Sequence, residues 1–228
     1  MTHIFDEALL APFPYPAAIF DFDGTIADTD NIWNKIDQDF LAARGIEWTP
    51  DIGATLATLG FAKGAEYVIE RYGLSDTPGQ ILHEWNAAAG EAYARDVVLL
   101  PGAERVLRTL RKQGVPLALA TSNNHAVLES MKPRLDVYDL FDEVVCTRDL
   151  HTTKREPDIY LEAARRLGAD PAYCIVFEDM LEPLLTAKGA GFPVCGVATD
   201  NPSQAFIRVS TEANYVVGDW QLLADLLD

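Results

Sequence analysis

The chain is short of positive charge, short of cysteine and without a long apolar run, and each shortage excludes something. Only 18 Lys and Arg stand against 35 Asp and Glu in 228 residues, a formal net charge of −17. Binding to a phosphate backbone needs clustered cations, and no run of them occurs, so nucleic acid is not an expected partner. A small anionic substrate is still compatible, because surface fields decay over about 8 Å at physiological salt and a bound cation dominates its own surroundings. The three cysteines, Cys146, Cys174 and Cys195, are odd in number and sit in apolar runs. They read as reduced core thiols of a cytoplasmic protein, not as a disulfide framework or a metal knuckle. No apolar run approaches the ~20 residues that cross a bilayer. Met1 to Pro16 has neither the basic nor the apolar region of a secretory signal. A membrane is therefore not expected either. Internal repeats and low-complexity linkers are absent. The oligomeric state is not legible in the sequence, and a monomer is favoured.

With 49% hydrophobic and 23% charged residues, the chain can bury a full core in one domain carrying a modest insert. The most informative segment is Asp21-Phe22-Asp23-Gly24-Thr25, which ends the apolar run Ala17-Ala18-Ile19-Phe20. An apolar run closed by a turn signal reads as a buried strand of a parallel sheet, and ligands bind beyond the carboxyl ends of such strands. Further short apolar runs, at 115–120, 143–146, 173–177 and 193–197, alternate with helical patterns, and 214–217 reads as an edge strand. The fold expected is therefore α/β, a doubly wound (Rossmann-like) parallel sheet. Residues 29–95 read as wholly helical: Ile32, Trp33, Ile36, Phe40 and Leu41 fall at helical spacing, further helices follow at 63–72 and 77–95, and a weaker pattern lies at 49–59. That stretch is expected to form a separate cap, leaving 1–28 and 96–228 as the core domain with the catalytic site.

Three more strand ends carry chemistry. Thr121-Ser122-Asn123-Asn124 follows the second strand. A hydroxyl and the free N–H groups opening a helix suit an anion, though Thr and Ser are also ordinary helix caps. Lys154 stands just ahead of Pro157-Asp158-Ile159-Tyr160, where one point charge can face a phosphoryl oxygen. Glu178-Asp179 ends the fourth strand, a second pair of carboxylates of the kind that hard cations such as Mg²⁺ take. Each signal alone has a bland reading; all four in order, at successive strand ends, do not.

These residues give the chain a resemblance to the haloacid dehalogenase superfamily of phosphohydrolases, in the β-phosphoglucomutase-like branch with a helical cap inserted after the first motif. The resemblance implies a phosphatase acting on a small phosphate ester of the sugar or polyol class, with Mg²⁺ as cofactor. It implies Asp21 as the nucleophile that becomes an aspartyl-phosphate, and Asp23 as the acid and then the base. It implies Thr121, Ser122 and Asn123 as the phosphate-binding turn, and Lys154 as the neutralising cation. The metal would be held by Asp21, the Asp23 backbone carbonyl, Asp179 and Glu178. Lys63 falls at a cationic cap position that would meet a second anionic group on the substrate. Trp33 stands where the mutases of the branch carry His, which weighs against a phosphomutase. Met180 and Pro183 replace a small residue and a Gly after the last motif, which keeps an idle phosphate-binding regulator in view.

Overall fold

In a computed structural model of the protein, residues 7–198 and 206–228 are described. Residues Thr29–Val97 and His125–Leu135 form one unit, and the rest of the described chain forms the other. The strands, in chain order, are β1 (Ala17–Phe20), β2 (Ala27–Asp28), β3 (Val98–Leu99), β4 (Leu117–Thr121), β5 (Glu143–Cys146), β6 (Cys174–Glu178), β7 (Val194–Val197) and β8 (Tyr215–Val217). The helices are α1 (Asp30–Ala42), α2 (Pro50–Tyr72), α3 (Pro78–Arg95), α4 (Ala103–Lys112), α5 (His125–Ser130), α6 (Asp158–Leu167), α7 (Leu181–Gly189), α8 (Phe206–Glu212) and α9 (Trp220–Leu227).

Six strands make one sheet in the order β5-β4-β1-β6-β7-β8, and every pairing in it is parallel. Both faces are covered, which is why the strands read as unbroken apolar runs instead of alternating ones. Alternation still decides the face. Ala17 and Ile19 join Ala118, Ala120, Val145, Val176, Ile159 and Ala163 in one layer of the core. Phe20 points the other way, with its ring centroid 4.4 Å from Phe177 and 6.2 Å from Trp220 of α9. The chain leaves β1 toward β4 and β5, then crosses back to β6 on the other side of β1. The order reverses between β1 and β6, and in sheets of this kind that is where a crevice opens beyond the strand ends. The three cysteines are buried and free. Burial pushes the Cys146 and Cys174 thiols up to about 12, so they stay protonated.

Segment 29–95, expected to be helical, holds α1, α2 and α3. α3 begins with a reciprocal cap in which Thr77 accepts from the Gln80 N–H and Gln80 accepts from the Thr77 N–H, with Pro78 in the first turn. The two helices expected at 49–59 and 63–72 are halves of α2, broken at Gly60, whose φ of 68° and ψ of −179° only glycine adopts easily. Helix α5 and the turn to Leu135 cluster with this helical unit. Arg134 ties this segment to α3: its guanidinium donates to the carbonyls of Tyr93, Ala94 and Val97 and so satisfies the C-terminal end of that helix. The two-residue strands β2 and β3 pair antiparallel in a separate small sheet.

Candidate active site

β1 delivers Asp21 to the crevice. The strand ladder runs one residue past its end, because the Asp21 N–H donates to the Phe177 carbonyl of β6 at 3.0 Å. The chain then turns sharply. The N–H groups of Ile26 and Ala27 both reach the Phe22 carbonyl, and Gly24 sits at φ 75° while donating to Ala27. The turn folds Thr25 back under the strand end, fully buried. Its hydroxyl lies 3.1 Å from Asp21 Oδ2 and 3.4 Å from Asp179 Oδ1, tying the end of β1 to the end of β6. Trp220 steadies the turn by donating its indole N–H to the Thr25 carbonyl at 2.9 Å.

Lys154 closes the other side. Its ammonium donates to Asp21 Oδ1 and, at 2.7 Å, to Glu178 Oε1. The Tyr160 hydroxyl of α6 donates to the same Glu178 oxygen at 2.6 Å. All four side chains are buried, so each interaction acts in a low dielectric and each charge requires a partner. Burial alone would lower the Lys154 pKa, but Asp21 and Glu178 overcome it and hold the ammonium charged. Burial is likewise the largest cause of the raised Glu178 carboxyl, pushed to about 8, with Asp21 adding to it and Lys154 opposing. Burial and Glu178 together push the Tyr160 phenol well up, so it remains a donor.

Asp21, Glu178 and Asp179 present carboxylate oxygens that all lie within 4.8 Å of one another. One ammonium does not balance three buried carboxylates. The donor set is all oxygen, which fits a hard divalent cation. α7 starts immediately after Met180, and Pro183 sits in its first turn, where a missing N–H leaves no intrahelical bond unmade.

From β4 comes Thr121, fully buried, whose hydroxyl oxygen accepts the Asn123 N–H at 3.0 Å. Asn123 is 1% exposed and its side-chain amide donates to Asp23 Oδ2 at 2.6 Å. Ser122, between them, is exposed. At the ends of the strands, Lys154 thus joins Asp21 to Glu178, Thr25 joins Asp21 to Asp179, and Asn123 joins Thr121 to Asp23. Lys63 lies on α2 in the helical unit, exposed. Sequence reasoning gave no role to Thr25 and Tyr160, although both stand inside the motifs, nor to Trp220. For the first two, a hydroxyl four residues after Asp21 and another six after Lys154 were the available signals.

The fold and site together define a doubly wound α/β protein with a lysine–carboxylate centre at its switch point. The model of the haloacid dehalogenase-like hydrolase family matches residues 18–197, and the chain belongs to that family. It is 30% identical over 185 residues to a fructose-1-phosphate phosphatase of Escherichia coli (strain K12), spanning 80% of this chain and 96% of that protein. It is 29% identical to a probable pseudouridine-5'-phosphatase of Drosophila melanogaster, over 89% of this chain and 90% of that one. A bifunctional riboflavin kinase/FMN phosphatase of Arabidopsis thaliana is 30% identical over 85% of this chain, which spans 51% of that longer protein. Among solved structures, CbbY from Rhodobacter sphaeroides in complex with phosphate superposes with a TM-score of 0.77 at 22% identity, covering 91% of this chain and 95% of that one. A β-phosphoglucomutase from Clostridium difficile gives 0.76 at 21% identity, covering 91% and 92%. Both likenesses concern the fold.

Proposed function

We propose that the protein hydrolyses a small phosphate monoester of the sugar or polyol class, with Mg²⁺ bound, by transferring the phosphoryl group to Asp21. The protein is a phosphatase; the substrate class, metal and route are the proposal. The observation that carries it is the setting of Asp21, a buried carboxylate held between the Lys154 ammonium and the Thr25 hydroxyl beside Asp179. A carboxylate so fixed is aimed and cannot rotate away, which is what a nucleophile in phosphoryl transfer requires.

An Asp21 oxygen attacks phosphorus, the bond from phosphorus to the ester oxygen breaks, and that oxygen takes a proton from Asp23 to leave as the alcohol. Asp23, now a carboxylate, takes a proton from water as the water oxygen attacks the phosphorus of the aspartyl-phosphate; inorganic phosphate leaves and both carboxyl groups are restored. Lys154 neutralises charge beside Asp21 throughout, and Thr121 with the N–H groups of its turn receives phosphoryl oxygens. Asp21, Asp179, Glu178 and the Asp23 carbonyl would hold Mg²⁺, which supplies positive charge to the phosphoryl oxygens. The helical unit is assigned the role of a cap that excludes water, with Lys63 meeting a second anionic group on the substrate. Trp33 of α1 has its ring packed edge-on against Phe61 and Tyr93, and an indole cannot relay a proton as the His of a mutase would. That favours hydrolysis over isomerisation.

The test is phosphate release from hexitol phosphates, fructose 1-phosphate, glycerol 3-phosphate, pseudouridine 5'-phosphate and FMN, each with Mg²⁺ and with EDTA. Release that needs the metal and concentrates on sugar or polyol esters is expected, and Asp21→Asn should lower it by at least about 10³-fold. Release unaffected by EDTA, or substantial turnover in Asp21→Asn, would overturn the proposal.

A further inference from the structure

Asp23 has to do two opposite things in one cycle, and its carboxyl must point at the same place for both. A bare aspartate at the surface of a turn rotates about two bonds, and fixing them costs conformational entropy. Its backbone is already set by the bridge between Asp23 and Ala27 and by the Gly24 turn. Its side chain is only half-buried, so packing alone does not lock the carboxyl. Asn123 supplies a constraint on it. Its own backbone is pinned because its N–H reaches the Thr121 hydroxyl, its side chain is 1% exposed, and its amide donates to Asp23 Oδ2 at 2.6 Å.

We propose that Asn123 is a positioning residue for proton transfer: its amide fixes the plane of the Asp23 carboxyl and determines which oxygen carries the proton. An amide N–H can donate and cannot accept. It bonds Oδ2 of a carboxylate, more strongly, and Oδ2 as the carbonyl oxygen of a carboxylic acid, and so favours the acid form whose proton sits on Oδ1. The same oxygen then gives the proton to the leaving group and later takes one from water, with no rotation between the two steps. A lysine at 123 would hold the carboxylate and oppose the acid; a serine could turn its hydroxyl and accept from the acid, leaving the proton on the wrong oxygen. This role differs from contact with the phosphate itself, which the turn around Thr121 and Ser122 provides.

The inference rests on the acid–base reading of Asp23, and the experiment separates the two. Departure of an alkyl oxygen needs a proton, whereas p-nitrophenolate leaves without one. The quantity to measure is kcat/KM, which covers the steps up to leaving-group departure and is blind to the later hydrolysis, for glycerol 3-phosphate and for p-nitrophenyl phosphate. General acids are worth about 10²–10⁴-fold and a misplaced group can forfeit about 10² of that. Asn123→Leu is therefore expected to lower kcat/KM for glycerol 3-phosphate by about 10–100-fold and for p-nitrophenyl phosphate by less than about 3-fold. Asp23→Asn should show the same selectivity more strongly. The ratio of the two substrates does not depend on how much of a variant folds, so a damaged fold cannot imitate the result. An equal loss on both esters, or no loss on either, in Asn123→Leu while Asp23→Asn keeps its selectivity overturns the positioning role alone. Loss of selectivity in Asp23→Asn as well overturns the acid–base reading beneath it.

Discussion

The lysine–carboxylate centre of the sheet unit and the interior of the helical unit treat buried polar groups in different ways. In the sheet unit, Lys154, Asp21, Glu178 and Tyr160 are all dry and all matched, with each charge facing an opposite charge or a donor. In the helical unit the buried indole N–H groups of Trp48 and Trp85 and the Thr29 hydroxyl find no hydrogen-bond partner among the described residues. Around them the packing is aromatic. Trp85 meets Phe40 and Phe61 edge-on at 5.1 and 6.2 Å, and Phe61 meets Trp33 at 5.4 Å. Edge-to-face rings tolerate shifts in angle and distance, while a dry ion pair displaced by an ångström loses much of its value. The sheet unit is therefore built for fixed geometry, and the helical unit for shape, with strong ion pairing moved outward to its surface.

The largest effect should come from breaking the dry network. Lys154→Met leaves Asp21 and Glu178 buried without their cation, and losing one partner of a buried pair costs about 3–5 kcal/mol. For a chain of this length that is a fall in Tm of about 10 °C. Thermal unfolding in EDTA checks it, and Mg²⁺ should return part of the loss by replacing the positive charge. The counterpart in the helical unit is Arg44, whose guanidinium bonds Asp76 at 2.8 Å and Glu84 at 2.7 Å and lies 3.8 Å over the Phe40 ring. Asp76 and Glu84 are 25% and 45% exposed, so water can take them back when the arginine goes. Arg44→Met should cost only about 1–2 kcal/mol. If the two variants were equally destabilised, burial would not be the difference between the units.

The same contrast explains what could be read from the sequence. β1 and β5 fall where their apolar runs mark them, and α6 starts directly after Pro157 and stops at Gly168, because local pattern and burial agree at those places. The strand-end residues were legible for the same reason: a parallel sheet exports whatever follows each strand to one edge, so Asp21, Thr121 and Asp179 follow from knowing where strands stop. What escaped depends on contacts between distant segments. Nothing near Arg134 announces that it will satisfy the end of α3 and draw 125–135 into the helical unit. The pairing of Ala27–Asp28 with Val98–Leu99 is too short to leave a period. Asn123 was visible only as part of an anion-binding turn; its bond to Asp23, a hundred residues away, required the fold.

The smallest effect, and the sharpest test of the looser unit, lies at Asp37 on α1. Burial is the cause that raises its carboxyl from the ordinary range to about 7. The folded protein thus holds this proton more tightly than the unfolded chain, so stability is fully present below about pH 4 and declines as pH rises toward 7. The residue is partly open to solvent, which reduces the effect to about 1 kcal/mol. Asp37→Asn removes the charge that burial disfavours while keeping the shape. It should raise Tm at pH 8 by about 2–4 °C and leave it nearly unchanged at pH 4.5, where most of the native carboxyl is already protonated. An equal gain at both pH values would mean that the substitution acts through packing or the unfolded chain. No gain at either would mean that Asp37 has found a partner, and that the helical unit matches its charges as carefully as the sheet unit does.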